Sequence, residues 1–269
     1  MSVVNDYSRR SEIYDVEYTD DNDLSFWAAL ADGADTILEL PCGSGTRALY
    51  LAALGKHVTA VDLEPSMIAL VRRKLARTSP RPRVRPVVAD MRALDLAERF
   101  DAVFVIREGF QFLTDDGEAV QALRGFARRL EDDGFIAVDL ADFSARVDGS
   151  PYALGYYDRR VPDDVWVDEW RRVTDGAGGV CTRRRRQRHH HDGTVTIDFH
   201  YSLDEAGAGV CGWRASVRYR RHNRDSFLRL AARSGLRCAA LYGDYAFKPY
   251  EAGDPRMIFI LENRAPGNE

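Results

Sequence analysis

An acid closing one short apolar run, two glycines one residue apart, and a second acid closing the next run could together hold a ribonucleotide. Here they are Glu39, Gly43, Gly45 and Asp62, within the segment ILELPCGSGTRALYLAALGKHVTAVD at residues 37–62. Gly43 and Gly45 lack a Cβ, so the backbone can turn sharply there and let a ligand come close. A helix starting near Thr46 would aim unpaired N–H groups and the positive end of its dipole at that ligand. Asp62 can accept two hydrogen bonds from a ribose diol, and Glu39 stands at the strand tip just before the turn.

The order of strand, Gly-rich turn, helix, strand and acid is a βαβ unit used by two large enzyme classes. Residues 43–48 (GSGTRA) satisfy the G-x-G-x-x-G/A pattern of dinucleotide enzymes, so a nicotinamide-dependent reductase is one reading. Those enzymes keep an apolar residue where this chain has Glu39. The spacing Glu39-x-x-Cys42-Gly43-x-Gly45 instead resembles the first motif of class I S-adenosylmethionine-dependent methyltransferases. The family usually has Gly where this chain has Pro41, which has no N–H to donate and stiffens the turn.

The resemblance continues along the chain. Residues 84–91 read as a third strand ending in Asp90-Met91, where the family's acid takes the adenine amino group and the next residue packs on the ring. Residues 100–106 read as a buried fourth strand, followed by Arg107-Glu108-Gly109-Phe110-Gln111 facing the active site. A helix over 115–130, closed by Asp132-Asp133-Gly134, precedes a fifth strand at 135–140. A helix over 225–234 with Gly235 as its C′ residue leads into strands at 236–241 and 257–261. The resemblance implies an α/β fold: a Rossmann-like, doubly wound sheet of seven strands, the last antiparallel, with an inserted antiparallel sheet. It divides the chain into an N-terminal lid (1–35), a cofactor-binding core (36–150 and 223–265) and the insertion (151–222).

S-adenosylmethionine is the implied cofactor. The resemblance puts Tyr14, Glu39, Pro41, Gly43, Gly45, Arg47, Asp62, Leu63, Met67, Asp90, Met91, Ile106 and Arg107 around it. Ile13-Tyr14-Asp15 resembles the lead-in of small-molecule methyltransferases, which would bring Tyr14 or Tyr18 to the methionyl end or the acceptor. The same residues also read as a helix packing its aromatic face, with Trp27, on the core. Candidate catalytic groups are Glu108, Tyr14 and His222; Glu108 could equally make only a structural hydrogen bond. Tyr18, Phe110, Gln111, Tyr242, Asp244 and Tyr245 are candidates for the substrate side, with Phe112 beside Phe110 as an apolar wall.

Between residues 152 and 222, β-like runs at 165–173, 180–190, 194–203 and 210–219 predict four antiparallel strands. Asp192-Gly193 signals the central hairpin, and 175–179 and 204–209 the outer turns. The run Arg183-Arg184-Arg185-Arg186-Gln187-Arg188 could bind phosphates, but on a strand alternate side chains face opposite ways. Asp168, Glu169 and Asp198 lie in expected partner strands and would pair with it. Nucleic acid is therefore not an expected partner. His189, His190 and His191 also alternate, and no metal is expected.

Lys and Arg number 38 against 42 Asp and Glu, a balance that favours no polyanionic partner. No apolar run approaches the roughly 20 residues that span a bilayer. Four scattered cysteines fit reduced thiols in a cytoplasmic protein. A homo-oligomer built through the insertion is one option.

The expected chemistry is methyl transfer to a small-molecule acceptor. An amine needs only to be neutral, whereas a hydroxyl usually needs a base. The N-terminal lid and the insertion resemble those of natural-product N-methyltransferases, and that resemblance implies N-methylation of a secondary metabolite ahead of O-methylation.

Overall fold

The computed structural model describes residues 10–145, 152, 157–174, 179–205 and 209–264. Two short helices, α1 (Tyr14–Glu17) and α2 (Leu24–Leu30), lead into the alternating part. That part runs β1 (Thr36–Glu39), α3 (Thr46–Ala53), β2 (His57–Asp62), α4 (Pro65–Arg77), β3 (Val84–Val88), β4 (Phe100–Val105), α5 (Asp116–Ala127) and β5 (Leu130–Ala141). Next come β6 (Val167–Val173), β7 (Val180–His189), β8 (Thr194–Glu205) and β9 (Gly209–Arg220). The chain closes with α6 (Arg224–Arg233), β10 (Leu236–Tyr242) and β11 (Arg256–Asn263).

Seven strands form one sheet in the order β10-β11-β5-β4-β1-β2-β3, and β11 runs antiparallel to both its neighbours. The middles of the central parallel strands β1, β2, β4 and β5 are buried and largely apolar, as expected where helices cover both faces. Strand order reverses at β1, which pairs with β2 on one side and β4 on the other. The crevice beyond the carboxyl ends of those strands is where such sheets bind ligands.

Local chemistry sets the element ends. Asp115 accepts from the N–H groups of Gly117 and Glu118 at the start of α5. Asn223 and Ser226 form a reciprocal capping box on α6, and Gly235 follows that helix with φ +82°. The fifth strand begins at Leu130, not after Gly134 as the Asp-Asp-Gly segment suggested. Its register against β4 shifts between Phe100 and Ala102, so the segment is an irregularity within the strand. A Cβ on Gly134 would sit 3.0 Å from the carbonyl oxygens of Phe100 and Asp101, which explains the glycine there.

The insertion is a separate four-stranded antiparallel sheet, β6-β7-β8-β9. Its central hairpin turns at Asp192-Gly193, with Gly193 at φ +80°. For the two outer turns, residues 175–178 and 206–208 lie outside the described residues. Val195, Ile197, Phe199, Tyr201, Val217 and Tyr219 make its buried face. Arg183 and Arg185 point into that face, while Arg184, Arg186 and Arg188 pair outside with Asp168, Asp198 and Asp164. The arginine run is thus split and largely neutralised. Among the described residues no helix is long and apolar enough to cross a membrane.

Candidate active site

A cavity of about 440 Å³ lies across the carboxyl ends of β1, β2, β3 and β4, within the size range of small-molecule sites. Residues of α1 and of the inserted sheet line its other side, among them Tyr14, Trp170 and Tyr219.

The Gly-rich turn is held from below. Asp62 accepts from the Gly43 N–H at 2.8 Å and the Glu64 N–H at 2.9 Å, and the Cys42 N–H donates to the Val61 carbonyl at 2.8 Å. Burial pushes the Asp62 carboxyl up to about 6 against those hydrogen bonds. Gly43, at φ +53°, lies under Tyr14: a Cβ there would come within 2.8 Å of the tyrosine oxygen. Gly45 plays a different part. It is outside the cavity lining, and a Cβ on it would meet Val71 at 2.8 Å, so it lets α3 approach α4. Pro41 is also accommodated by a glycine, since a Cβ at Gly109 would fall 2.3 Å from the proline ring.

Glu39 is 2% exposed, and one carboxylate oxygen, Oε2, has no partner among the described residues. Burial pushes its pKa up to about 8; Arg47 opposes this, while Asp23 and Asp62 add to it. A buried acid with an unfilled oxygen suits a cation. Asp62, on the adjacent strand two residues beyond the partner of Glu39, suits a diol. Asp90 caps the turn Met91–Ala93 and takes three side-chain contacts from Arg92 between 2.6 and 3.0 Å, with hydrogen bonding from Arg92 holding its carboxyl below the usual range.

At the end of β4, Arg107 and Glu108 adopt φ of +47° and +57°, a left-handed conformation that costs on the order of 1–3 kcal/mol per non-glycine residue. Asp139 on β5 holds them there. Its carboxylate accepts from the Arg107 N–H and its carbonyl from the Glu108 N–H, both at 3.1 Å. Buried Arg256 donates to Asp139 and to Glu108, and the Tyr245 hydroxyl donates to Asp139 at 2.8 Å. Glu108 therefore reaches the cavity already engaged by Arg256.

The N-terminal segment is pinned at three places. Asp15 accepts from Ser44 at 2.6 Å and Lys74 at 2.8 Å. Fully buried Asp23 receives the side chains of Arg47, Arg107 and Trp27. Burial raises the Asp23 carboxyl, but hydrogen bonding from Arg47 and the charge of Arg107 win and hold it at about 2. Buried Glu17 accepts from Arg10, from Tyr201 at 2.8 Å and from Arg183 of β7.

Several candidates from the sequence gather at the cavity: Tyr14, Tyr18, Glu39, Pro41, Gly43, Arg47, Asp62, Leu63, Met67, Asp90, Met91, Ile106, Arg107, Glu108 and Tyr245, with Phe112 beside them. Others do not reach it. Phe110 is fully buried against Phe227 in a T-shaped contact. Gln111 exchanges hydrogen bonds with the Ala141 backbone and donates to the Arg220 carbonyl, clipping β5 to the end of β9. His222 packs between Phe110 and Phe227, and burial lowers its pKa to about 4. Tyr242 packs edge-on to Phe26 and Phe247, and Asp244 accepts from the Ala246 and Lys248 N–H groups in the loop after β10. The sequence reading missed Glu17, Asp23, Trp170, Arg172 and Arg256. An arginine opening the apolar strand β11 was the one visible signal, since a buried cation requires acids at neighbouring strand ends.

A seven-stranded sheet with a reversed last strand and an acid–glycine–acid site at its switch point defines the class I S-adenosylmethionine-dependent methyltransferase architecture. Residues 37–134 match the methyltransferase-domain family. The chain is 28% identical to the cypemycin N-terminal methyltransferase of a Streptomyces species over 233 residues, 85% of this chain and 83% of that protein. It is 24% identical over 203 residues to the dTDP-3-amino-3,6-dideoxy-alpha-D-glucopyranose N,N-dimethyltransferase of Streptomyces fradiae, covering 76% of this chain and 70% of that one. In fold it is similar to the CcbJ methyltransferase from Streptomyces caelestis, with a TM-score of 0.74 and 21% identity over 95% of this chain and 96% of that chain. Residues 37–134 thus form a methyltransferase domain within a chain that has the fold of these enzymes; the protein is an enzyme, and its cofactor is S-adenosylmethionine. The nicotinamide reading of the glycine loop is thereby set aside.

Proposed function

We propose that this enzyme methylates an amine nitrogen of a small natural product. One observation carries the reading: among the described residues no histidine lines the cavity, and Glu108 is already engaged by Arg256. A hydroxyl or phenol acceptor calls for a positioned base, whereas an amine can arrive neutral through water. The two Streptomyces relatives, an N-terminal methyltransferase and an N,N-dimethyltransferase of an amino sugar, point the same way.

In this reading Glu39 and Tyr14 hold the methionyl end, Asp62 the ribose, and Asp90 with Met91 the adenine. S-adenosylmethionine, when bound, supplies a methyl group made electrophilic by the adjacent sulfonium. The chain's own residues do the positioning. Residues 10–35 act as a lid that excludes water, and Tyr18, Phe112 and Tyr219 shape the acceptor side. Glu108, kept in place by Arg256 and Asp139, accepts an N–H of the incoming amine and directs its lone pair. Alignment of this kind can supply roughly 7–11 kcal/mol of the barrier. The cytoplasm, where the thiols stay reduced, is the setting this reading assumes.

The test is calorimetry with S-adenosylmethionine, S-adenosylhomocysteine, NADH and NADPH, then mass spectrometry of amine and phenol panels incubated with the enzyme and cofactor. Methylated products confined to amines are expected. Products confined to phenols or alcohols would reverse the choice of acceptor.

A further inference from the structure

On the insertion side the charged groups lining the cavity are Arg172 and Arg183, with Glu17 of α1. Among the described residues, buried Arg10, Arg183 and Arg185 share two carboxylates, Glu17 and Glu169. Arg172 on β6 adds a fourth guanidinium to this wall and lines the cavity. Its Nη1 donates to the carbonyls of Val16 at 2.5 Å and Glu17 at 2.8 Å, at the carboxyl end of α1. The remaining edge, Nε with Nη2, is the side-on fork that matches a carboxylate or phosphate in two parallel bonds. That fork donates to no described residue.

Trp170 stands two residues earlier on β6 and also lines the cavity. Its ring sits 5.1 Å from the Arg172 guanidinium and 5.0 Å from that of Arg183, and its buried indole N–H has no partner among the described residues. A buried donor left empty is unfavourable. On the opposite side the acids Asp20, Glu39, Asp62, Glu64, Asp90, Glu108 and Glu118 outnumber the arginines Arg47, Arg92, Arg107 and Arg256. The cavity is therefore polarised, acidic beside the Gly-rich turn and basic beside the insertion.

We infer that the acceptor carries an oxyanion, a carboxylate or a phosphate group, seated on the Arg172 fork and the Trp170 N–H, with its amine at the Glu108 end. This rests on the methyl-transfer reading above and adds the second functional group of the substrate. Such a subsite would orient the acceptor across the cavity and reject amines that lack the anion.

The full chain, saturated with S-adenosylhomocysteine, is titrated with inorganic phosphate and with acetate at constant ionic strength. Saturable binding of at least one anion is expected, and the stronger of the two identifies the group. Arg172→Ala should weaken it about tenfold while S-adenosylhomocysteine affinity stays within twofold. Trp170→Phe, which keeps the ring and removes the N–H, should weaken it severalfold and decides the matter if Arg172→Ala does not fold. Absence of saturable binding of either anion at tens of millimolar, or binding indifferent to both substitutions, overturns the inference. Failure of S-adenosylhomocysteine itself to bind the unaltered chain would instead strike the methyl-transfer reading.

Discussion

The core wall of the cavity and the insertion wall both bury ionisable groups, yet they treat acids in opposite ways. On the core wall Glu39 and Asp62 are shifted upward, because burial outweighs the hydrogen bonds and cations near them. Beside the insertion Glu17 is also buried, but Arg10 and Arg183 overcome the burial and hold its carboxyl below the usual range. An acid that is buried and unfilled is costly, and proteins keep such groups mainly where a ligand completes them. An acid enclosed by arginines completes itself and fixes geometry instead. The first wall keeps an open acid, which the proposed function gives to the cationic cofactor; the second holds the N-terminal segment against the insertion.

The sharpest way to break this contrast is to remove the self-sufficient acid. Glu17→Ala takes the shared carboxylate from Arg10 and Tyr201 and leaves Arg183 with Glu169 as its acid, and it should cost about 3–5 kcal/mol in chemical denaturation of the cofactor-free chain. A loss well under 1 kcal/mol would mean that the cluster holds nothing. Asp62→Ala should leave folding largely intact but reduce S-adenosylmethionine affinity about a hundredfold by calorimetry, since it removes the clasp on Gly43 as well as the proposed ribose contact.

Glu39 sharpens the contrast through pH. Its carboxyl titrates at about 8 in the folded chain against 4.5 in a model acid, so the protonated form is favoured by folding. The stability that this gives is full below about pH 4.5 and is lost as pH rises through about 8. A cationic ligand draws the ionised form, so binding at neutral pH should release up to one proton. Calorimetry in buffers of different ionisation enthalpy measures it, and Glu39→Gln should abolish most of the release. The smallest effect is expected at His222, which neither wall uses. His222→Leu should leave kcat/KM and its pH profile within about twofold, because the imidazole is buried between phenyl rings outside the cavity. A larger drop would restore this histidine as a base.

Much of the core wall could be read from the chain because its residues are local. Glu39, Gly43 and Asp62 fall within one βαβ unit, where spacing determines position. Gly45 was rightly placed in the turn, but its contact with Val71 depends on how α4 packs and is invisible in the motif. Phe110 and Phe112 look equivalent in sequence. The turn Gly109–Phe112 buries the first in the core and stacks the second on Tyr219 at 4.9 Å. The arginine strand shows the same division. Alternation foretold that the run would split between two faces, but not that Arg183 would meet Glu17, 166 positions away.

What the sequence determined by itself was the order of elements, the class of fold and the nucleotide-binding unit, because hydrophobic period, turn residues and motif spacing act over short stretches of chain. What only the tertiary structure decided was which acids are filled and which stay open. Those pairings join Arg10, Asp23, Glu108, Asp139, Arg183 and Arg256 across the whole length of the chain. They arise only when the sheet and the insertion close on the N-terminal segment, since burial and charge act through space and carry no period along the sequence.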